Sequence, residues 1–276
     1  MTNAARFTPR FSLALSGGGA AALGHIPVIE ELDAAGARPE AIAGTSMGAL
    51  IGACMAAGMT GAEIRDHACG LSSNIARIGA RMLRGASWGD LGLSFFLDPA
   101  EILKIVLPDA LPDLIEDLDI PFTAVATDFY RQSETRFDAG PLAPALAASM
   151  AIPGVFRPVV IDGRVHVDGG VCNNLPIEAL PEDCPVIAID AVTDPPDENA
   201  DQVPGPLMTS MGAMRIMMRA LLERQLQDRE PFRLLRPASR RFGPLDFRHT
   251  DDILKAAEPI RAEIRDTLEE LGGPVA

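Results

Sequence analysis

The chain has 276 residues, 47% of them hydrophobic and 22% charged, with a formal net charge of −14. Such a composition builds a sizeable apolar core and excludes a disordered polypeptide. The excess of carboxylates excludes the basic surface that nucleic acid requires and argues against simple electrostatic attachment to an anionic membrane. No break in composition divides the chain, so a single domain over residues 1–276 is expected, with a motif-bearing core over about residues 11–190 and a C-terminal helical part over about 207–271. The cysteines, Cys54, Cys69, Cys172 and Cys184, show no C-x-x-C pairing and read as reduced thiols. The apolar piece at residues 11–15 is too short for a signal peptide, and no run reaches the ~18 apolar residues of a transmembrane helix. A cytoplasmic protein is expected.

In chain order, residues 11–15 form an apolar strand that opens into Ser16-Gly17-Gly18-Gly19-Ala20 and a helix through about Ala35, stopped by Gly36. Residues 40–43 make a second strand, and a helix runs from about Met47 to Ala57, closed by Gly58. This is the strand–helix–strand–helix logic of a parallel sheet, and hence of an α/β fold. Residues 61–83 read as helical, the stretch from Gly85 to Asp98 as a surface excursion, and residues 99–107 as a helix. Residues 122–127 are an apolar strand with 134–137 pairing near it, and Pro144 to Met150 is a short helix. Asp162-Gly163 between residues 159–161 and 164–167 predicts a hairpin with a primed turn. Residues 185–190 form a further buried strand, residues 194–206 a loop rich in Asp and Pro, and about 207–227 and 251–271 two last helices. Met208, Met211, Met214, Met217 and Met218 recur at helical spacing in the first of these. That stripe reads as a core-facing helix, with an acyl-chain groove or a partner surface as the alternative.

Gly44-Thr45-Ser46-Met47-Gly48, between a strand and a small-residue helix, has the G-x-S-x-G pattern of a nucleophile elbow. The tight turn needs glycines because a side chain there would collide with neighbouring backbone. The helix that follows aims its positive end at the serine. Gly17-Gly18-Gly19 ends the first strand and can offer backbone N–H groups to an anion. Asp168-Gly169-Gly170 ends the hairpin strand, where a carboxylate can approach a serine without steric hindrance. A serine hydroxyl needs such a base at neutral pH, and Asp168 is the carboxylate best placed for it.

Two other readings compete. A dinucleotide fingerprint requires a glycine where Ala22 stands, and a Ser–Asp–His triad would use Ser46, Asp168 and His249 in a polar stretch. His25, His67 and His166 read as packing or exposed residues. No His, Cys and carboxylate cluster has metal-ligand spacing, and no cofactor is expected.

Four segments together carry a family resemblance: Leu15-Ser16-Gly17-Gly18-Gly19-Ala20, Ala43 to Gly48, Ala148-Ser149-Met150-Ala151-Ile152-Pro153-Gly154-Val155-Phe156, and Val167-Asp168-Gly169-Gly170 through Pro176. From about Phe11 to Asp190 the chain resembles the patatin-like phospholipases, serine acyl hydrolases that use a Ser–Asp dyad. The resemblance implies a three-layer α/β/α fold with a mainly parallel central sheet. It also implies hydrolysis of lipid or lysolipid esters, with a substrate met at a membrane surface. By resemblance Ser46 is the nucleophile, Asp168 the general base, and Gly17, Gly18, Gly19 and the Met47 N–H form the oxyanion hole. Gly44, Gly48, Gly169 and Gly170 are the motif glycines. The chain departs from the family pattern at Ala21 and Ala22, where a basic residue and a glycine are usual. The departure implies an altered substrate or a weakened enzyme, and in the limit a binding or scaffold protein; transfer of the acyl group to an acceptor other than water is a further alternative.

Overall fold

The computed structural model describes residues 9–71, 98–192 and 203–272. The helix expected over residues 72–83, most of the excursion from Gly85 to Asp98 and the acidic part of the loop at 194–202 lie outside these residues.

Strand β1 (Ser12–Leu15) runs parallel to β2 (Ile42–Thr45) on one side and to β7 (Val186–Ile189) on the other. β3 (Phe122–Asp128) extends the parallel run beyond β2, and β8 (Arg233–Leu235) extends it beyond β7. β4 (Ser133–Phe137) and β6 (Arg164–Asp168) both pair antiparallel with β3, and β5 (Val159–Ile161) forms the expected hairpin with β6. The hydrogen-bonded order is β5-β6-β3-β2-β1-β7-β8, with β4 added on β3. The sheet is therefore parallel through its centre and antiparallel at one end. Asp162 and Gly163 both take positive φ, 50° and 74°, as a primed turn requires.

Side-chain size divides the two faces of the sheet. Leu13, Leu15, Ile42, Ile187 and Ile189 enter one core. Helices α1 (Ile26–Ala35), α2 (Met47–Ala56), α4 (Pro99–Val106), α5 (Leu142–Ser149), α7 (Thr250–Ala257) and α8 (Ile260–Gly272) contribute buried side chains to it. Ala14, Ala43 and Ala188 point the other way, toward Leu175, Ile177, Leu180 and Leu222. The small strand residues let this second cover approach closely. It consists of the segment at residues 175–180 and of α6 (Pro206–Asp228). The result is three layers, with α6 as the α-helix on the second face among the described residues. Helix α3, residues 61–71, is tied to α1 and to the junction of α7 and α8 through Arg65, which bonds Glu30 at 2.6 Å and Glu258 at 3.0 Å.

Three boundaries differ from the sequence expectation. The second strand is shifted, Ile42–Thr45 rather than 40–43, so it runs directly into Ser46. The last helix is two helices, because Pro259 has no N–H for the helical ladder and its ring clashes with the preceding turn. β8 was not expected: three residues are too few to show an alternating pattern.

Candidate active site

Strand β3 brings the two candidate residues, Ser46 and Asp168, together. β4 occupies one edge of β3 along Ala124–Asp128, so β2 and β6 must share the other edge. They meet there end to end, with Thr45 paired to Val125 and Asp168 paired to Ala126. Neighbouring positions on one strand thus set the separation between the residue before Ser46 and the carboxylate. The loop after Asp168 is then sewn onto the sheet. Thr45 Oγ1 donates to Asn173 O at 2.9 Å, and Gly17 N–H donates to Asn174 O at 3.2 Å.

Ser46 is buried and holds φ 54°, ψ −125°, a conformation that costs a non-glycine residue about 1–3 kcal/mol. Its surroundings enforce the strain. A Cβ at Gly48 would lie 2.4 Å from Ser16 O, and one at Gly44 would lie 2.6 Å from Ala49 Cα. The Ser46 N–H donates to Ser149 Oγ at 2.8 Å, and that hydroxyl donates to Val125 O at 2.6 Å. Ser149 therefore locks the elbow to β3. It stands within a quoted motif, but nothing in its spacing announces the role. Ser46 caps the N-terminus of α2, where the first N–H groups have no intrahelical acceptor.

The glycine loop lies against the serine: a Cβ at Gly17 would be 3.1 Å from Ser46 Cβ and 2.7 Å from Asn174 Oδ1. Gly17 uses its own N–H on Asn174 O, so the donors left near Ser46 are Gly18, Gly19 and Met47 N–H. His25 stiffens the loop from below. It is fully buried, and its Nε2–H donates to Ser16 O at 2.9 Å. Burial pushes its pKa down to about 4, which keeps the imidazole neutral. Ala21 and Ala22 are fully buried within the 3₁₀ turn Gly19–His25. Neither position therefore presents a cationic side chain to the loop.

Asp168 is buried as well. Desolvation raises its pKa to about 6, against hydrogen bonding from the Ser46 hydroxyl and the Gly170 N–H, which hold it down. Oδ1 accepts from Gly170 N–H at 2.8 Å, while Oδ2 is buried without a partner at hydrogen-bonding distance. The Ser46 hydroxyl thus stands close enough to the carboxyl to lower its pKa. Backbone again dictates the glycines: a Cβ at Gly169 would fall 2.2 Å from Val125 O. A Cβ at Gly170 would meet Asn174 Oδ1 at 2.9 Å and Met218 Cε of α6 at 3.0 Å.

The other histidines make their contacts elsewhere. His67 bonds Val106 O, His166 packs on Phe137, and His249 lies partly exposed beside Phe242, Arg248 and Asp252. The structure does not bring His249 to Ser46. No group of three or more His, Cys, Asp or Glu is placed to hold a metal among the described residues.

A family profile described as "Patatin-like phospholipase" matches residues 13–181, a span that holds the elbow, the glycine loop and Asp168. The chain belongs to the patatin-like phospholipase family. An uncharacterised NTE family protein of Mycobacterium tuberculosis is 39% identical over 173 residues, which cover 63% of this chain and 46% of the relative. The mouse patatin-like phospholipase domain-containing protein 6 is 30% identical over 179 residues, 60% of this chain and 12% of its own length. The patatin-like chain thus spans about half of the mycobacterial relative and a small part of the mouse one. Among solved structures, VipD from Legionella pneumophila aligns with a TM-score of 0.49 at 13% identity, covering 95% of this chain and 67% of VipD.

Proposed function

We propose that the protein is a serine hydrolase of carboxylic esters, acting on lipid or lysolipid substrates through a Ser46–Asp168 dyad. The observation that carries this reading is the meeting of a strained, buried serine and a buried carboxylate end to end on β3, beside the glycine loop at Gly17. Asp168 accepts the Ser46 proton as Oγ attacks the ester carbonyl. Gly18, Gly19 and Met47 N–H hold the oxyanion, and Asp168 returns the proton to the leaving alcohol. The carboxylate so regenerated takes a proton from the water that cleaves the acyl-enzyme, giving it back to Ser46 as the acid departs. A carboxyl pKa of about 6 suits this work: the group is mostly ionised at neutral pH yet still basic enough to take a proton.

The buried alanines at 21 and 22 favour a second reading, a catalytically weak binding protein, because they leave the oxyanion side without a cation. Hydrolysis of a short p-nitrophenyl ester and labelling by a fluorophosphonate separate the two. Turnover and labelling that vanish in Ser46→Ala support the hydrolase. Full turnover in that variant overturns the assignment, and absence of both in the native protein favours the binding reading.

A further inference from the structure

Two buried oxygens at the site lack a hydrogen-bond donor. Among the described residues, the side-chain carboxyl and amide oxygens buried without a partner are Asp168 Oδ2 and Asn174 Oδ1. Asn174 is 5% exposed and Asp168 3%. An unpaired buried acceptor is costly, so two of them at one site mark a place for a group that can donate twice.

The two side chains converge on one face of Gly170. A Cβ there would lie 2.9 Å from Asn174 Oδ1 and 3.0 Å from Asp168 Oδ1. The same amide oxygen borders the serine, since a Cβ at Gly17 would lie 2.7 Å from it and 3.1 Å from Ser46 Cβ. Gly17 also holds Asn174 at two points. The Asn174 Nδ2–H donates to Gly17 O at 3.5 Å, and Asn174 O accepts the Gly17 N–H at 3.2 Å. With its nitrogen engaged there, the amide leaves Oδ1 toward Ser46 and Asp168. The next residue, Leu175, is fully buried in the second core and anchors the backbone. Met218 Cε, 3.0 Å from the same Gly170 position, closes the group on the α6 side.

Deacylation sets a need that these atoms meet. The water that cleaves an acyl-enzyme has two O–H bonds, and Asp168 takes the proton of one. An acceptor for the second O–H fixes the water with a lone pair facing the acyl carbon. We infer that Asn174 is this acceptor, a third catalytic residue that orients the hydrolytic water through Oδ1. The inference rests on the hydrolase reading. The water oxygen bonds to the acyl carbon as Asp168 takes one hydrogen, while the other stays on that oxygen and donates to Asn174 Oδ1. Collapse then breaks the bond to Ser46 Oγ, which recovers the proton from Asp168. An alcohol has a single O–H and spends it on Asp168, so Asn174 favours water over other acyl acceptors.

The test is the partition of the acyl group between water and methanol, with a short p-nitrophenyl ester as donor. The ratio of methyl ester to free acid reports deacylation alone, whatever the rate of acylation. Asn174→Leu, similar in shape but without an acceptor, is expected to raise that ratio about fivefold. Its turnover should slow after an initial burst of p-nitrophenol. Asn174→Asp keeps an oxygen in place and should hold the native ratio, while its charge moves the pH midpoint of turnover up by about one unit. A native ratio in Asn174→Leu overturns the inference. If that variant lacks the native thermal transition, Asn174→Asp decides. A raised midpoint with the native ratio upholds the inference, and an unmoved midpoint overturns it, because the residue then does not face Asp168. Native protein without turnover or fluorophosphonate labelling sinks the hydrolase reading and this inference together. Native turnover with both variants unshifted sinks this inference alone.

Discussion

The elbow and α6 approach the same carboxylate under opposite packing regimes. From Ala41 to Ala56 every residue except Met47 is buried, and the turn is held by backbone in van der Waals contact with backbone. Along α6 only Leu222 is buried among the described side chains. That helix is secured mainly by polar clamps in its C-terminal half. Gln225 Nε2 donates to Asn173 Oδ1 and Leu175 O at 3.0 Å, and Arg229 donates to Ile177 O at 2.7 Å and Pro181 O at 2.8 Å. Reacting atoms need positions fixed to a fraction of an ångström, which dense packing supplies. The low packing of α6 instead leaves room for local opening.

Substitutions can sharpen this contrast or break it. The largest effect is expected from Asp168→Asn, which should lower turnover of a soluble ester by roughly 10⁴-fold. Its stability should move the other way. The folded-state pKa of Asp168, about 6, lies above the ordinary 3.8, so its favourable contribution is complete below pH 3.8 and is lost as pH rises through 6. Thermal denaturation at pH 8 should therefore show the Asn variant more stable by ~1–3 kcal/mol, an advantage absent at pH 3.5. For the native enzyme, kcat/KM should rise about tenfold per pH unit up to about 6 and then level off.

Gly48→Ala is expected to destabilise by ~3 kcal/mol or more in urea, because its Cβ meets two backbone carbonyls that cannot yield. Ser149→Ala should cost about 1–3 kcal/mol and lower kcat more than it raises KM, since it frees the elbow N–H and leaves Val125 O unpaired. The smallest change belongs to α6. Gly212→Ala meets nothing within 4 Å and should stabilise by up to ~1 kcal/mol without touching ester turnover. Equal destabilisation by the two Gly→Ala variants would end the distinction between the regions.

Much of the fold was legible because its signals are local. Gly36 ends α1 with φ 63°, Asp162-Gly163 turns the hairpin, and the alternation of large and small residues in β1 and β7 marks two covered faces. The candidate dyad was legible for the same reason, since both residues sit in turns where glycines are sterically dictated. What stayed hidden depends on partners far apart in the chain. Nothing near Ser149 says that its hydroxyl will meet the Ser46 N–H, and nothing near Asn174 says that its carbonyl will take the Gly17 N–H. The methionine stripe misled because its period matches a core helix. Burial along α6 shows Met217 turned outward and Met211, Met214 and Met218 only half covered.

The end-to-end seating of β2 and β6 along β3 has a consequence for how this scaffold tolerates change. The spacing of Ser46 and Asp168 is calibrated by one residue step on a third strand, ~3.3 Å, and not by the length of chain that separates them. Extra chain at the tip of the β5–β6 hairpin therefore leaves the pair in place. The hairpin tip at Gly163, which has nothing within 4 Å, is the natural graft point for a new specificity loop or a fused reporter.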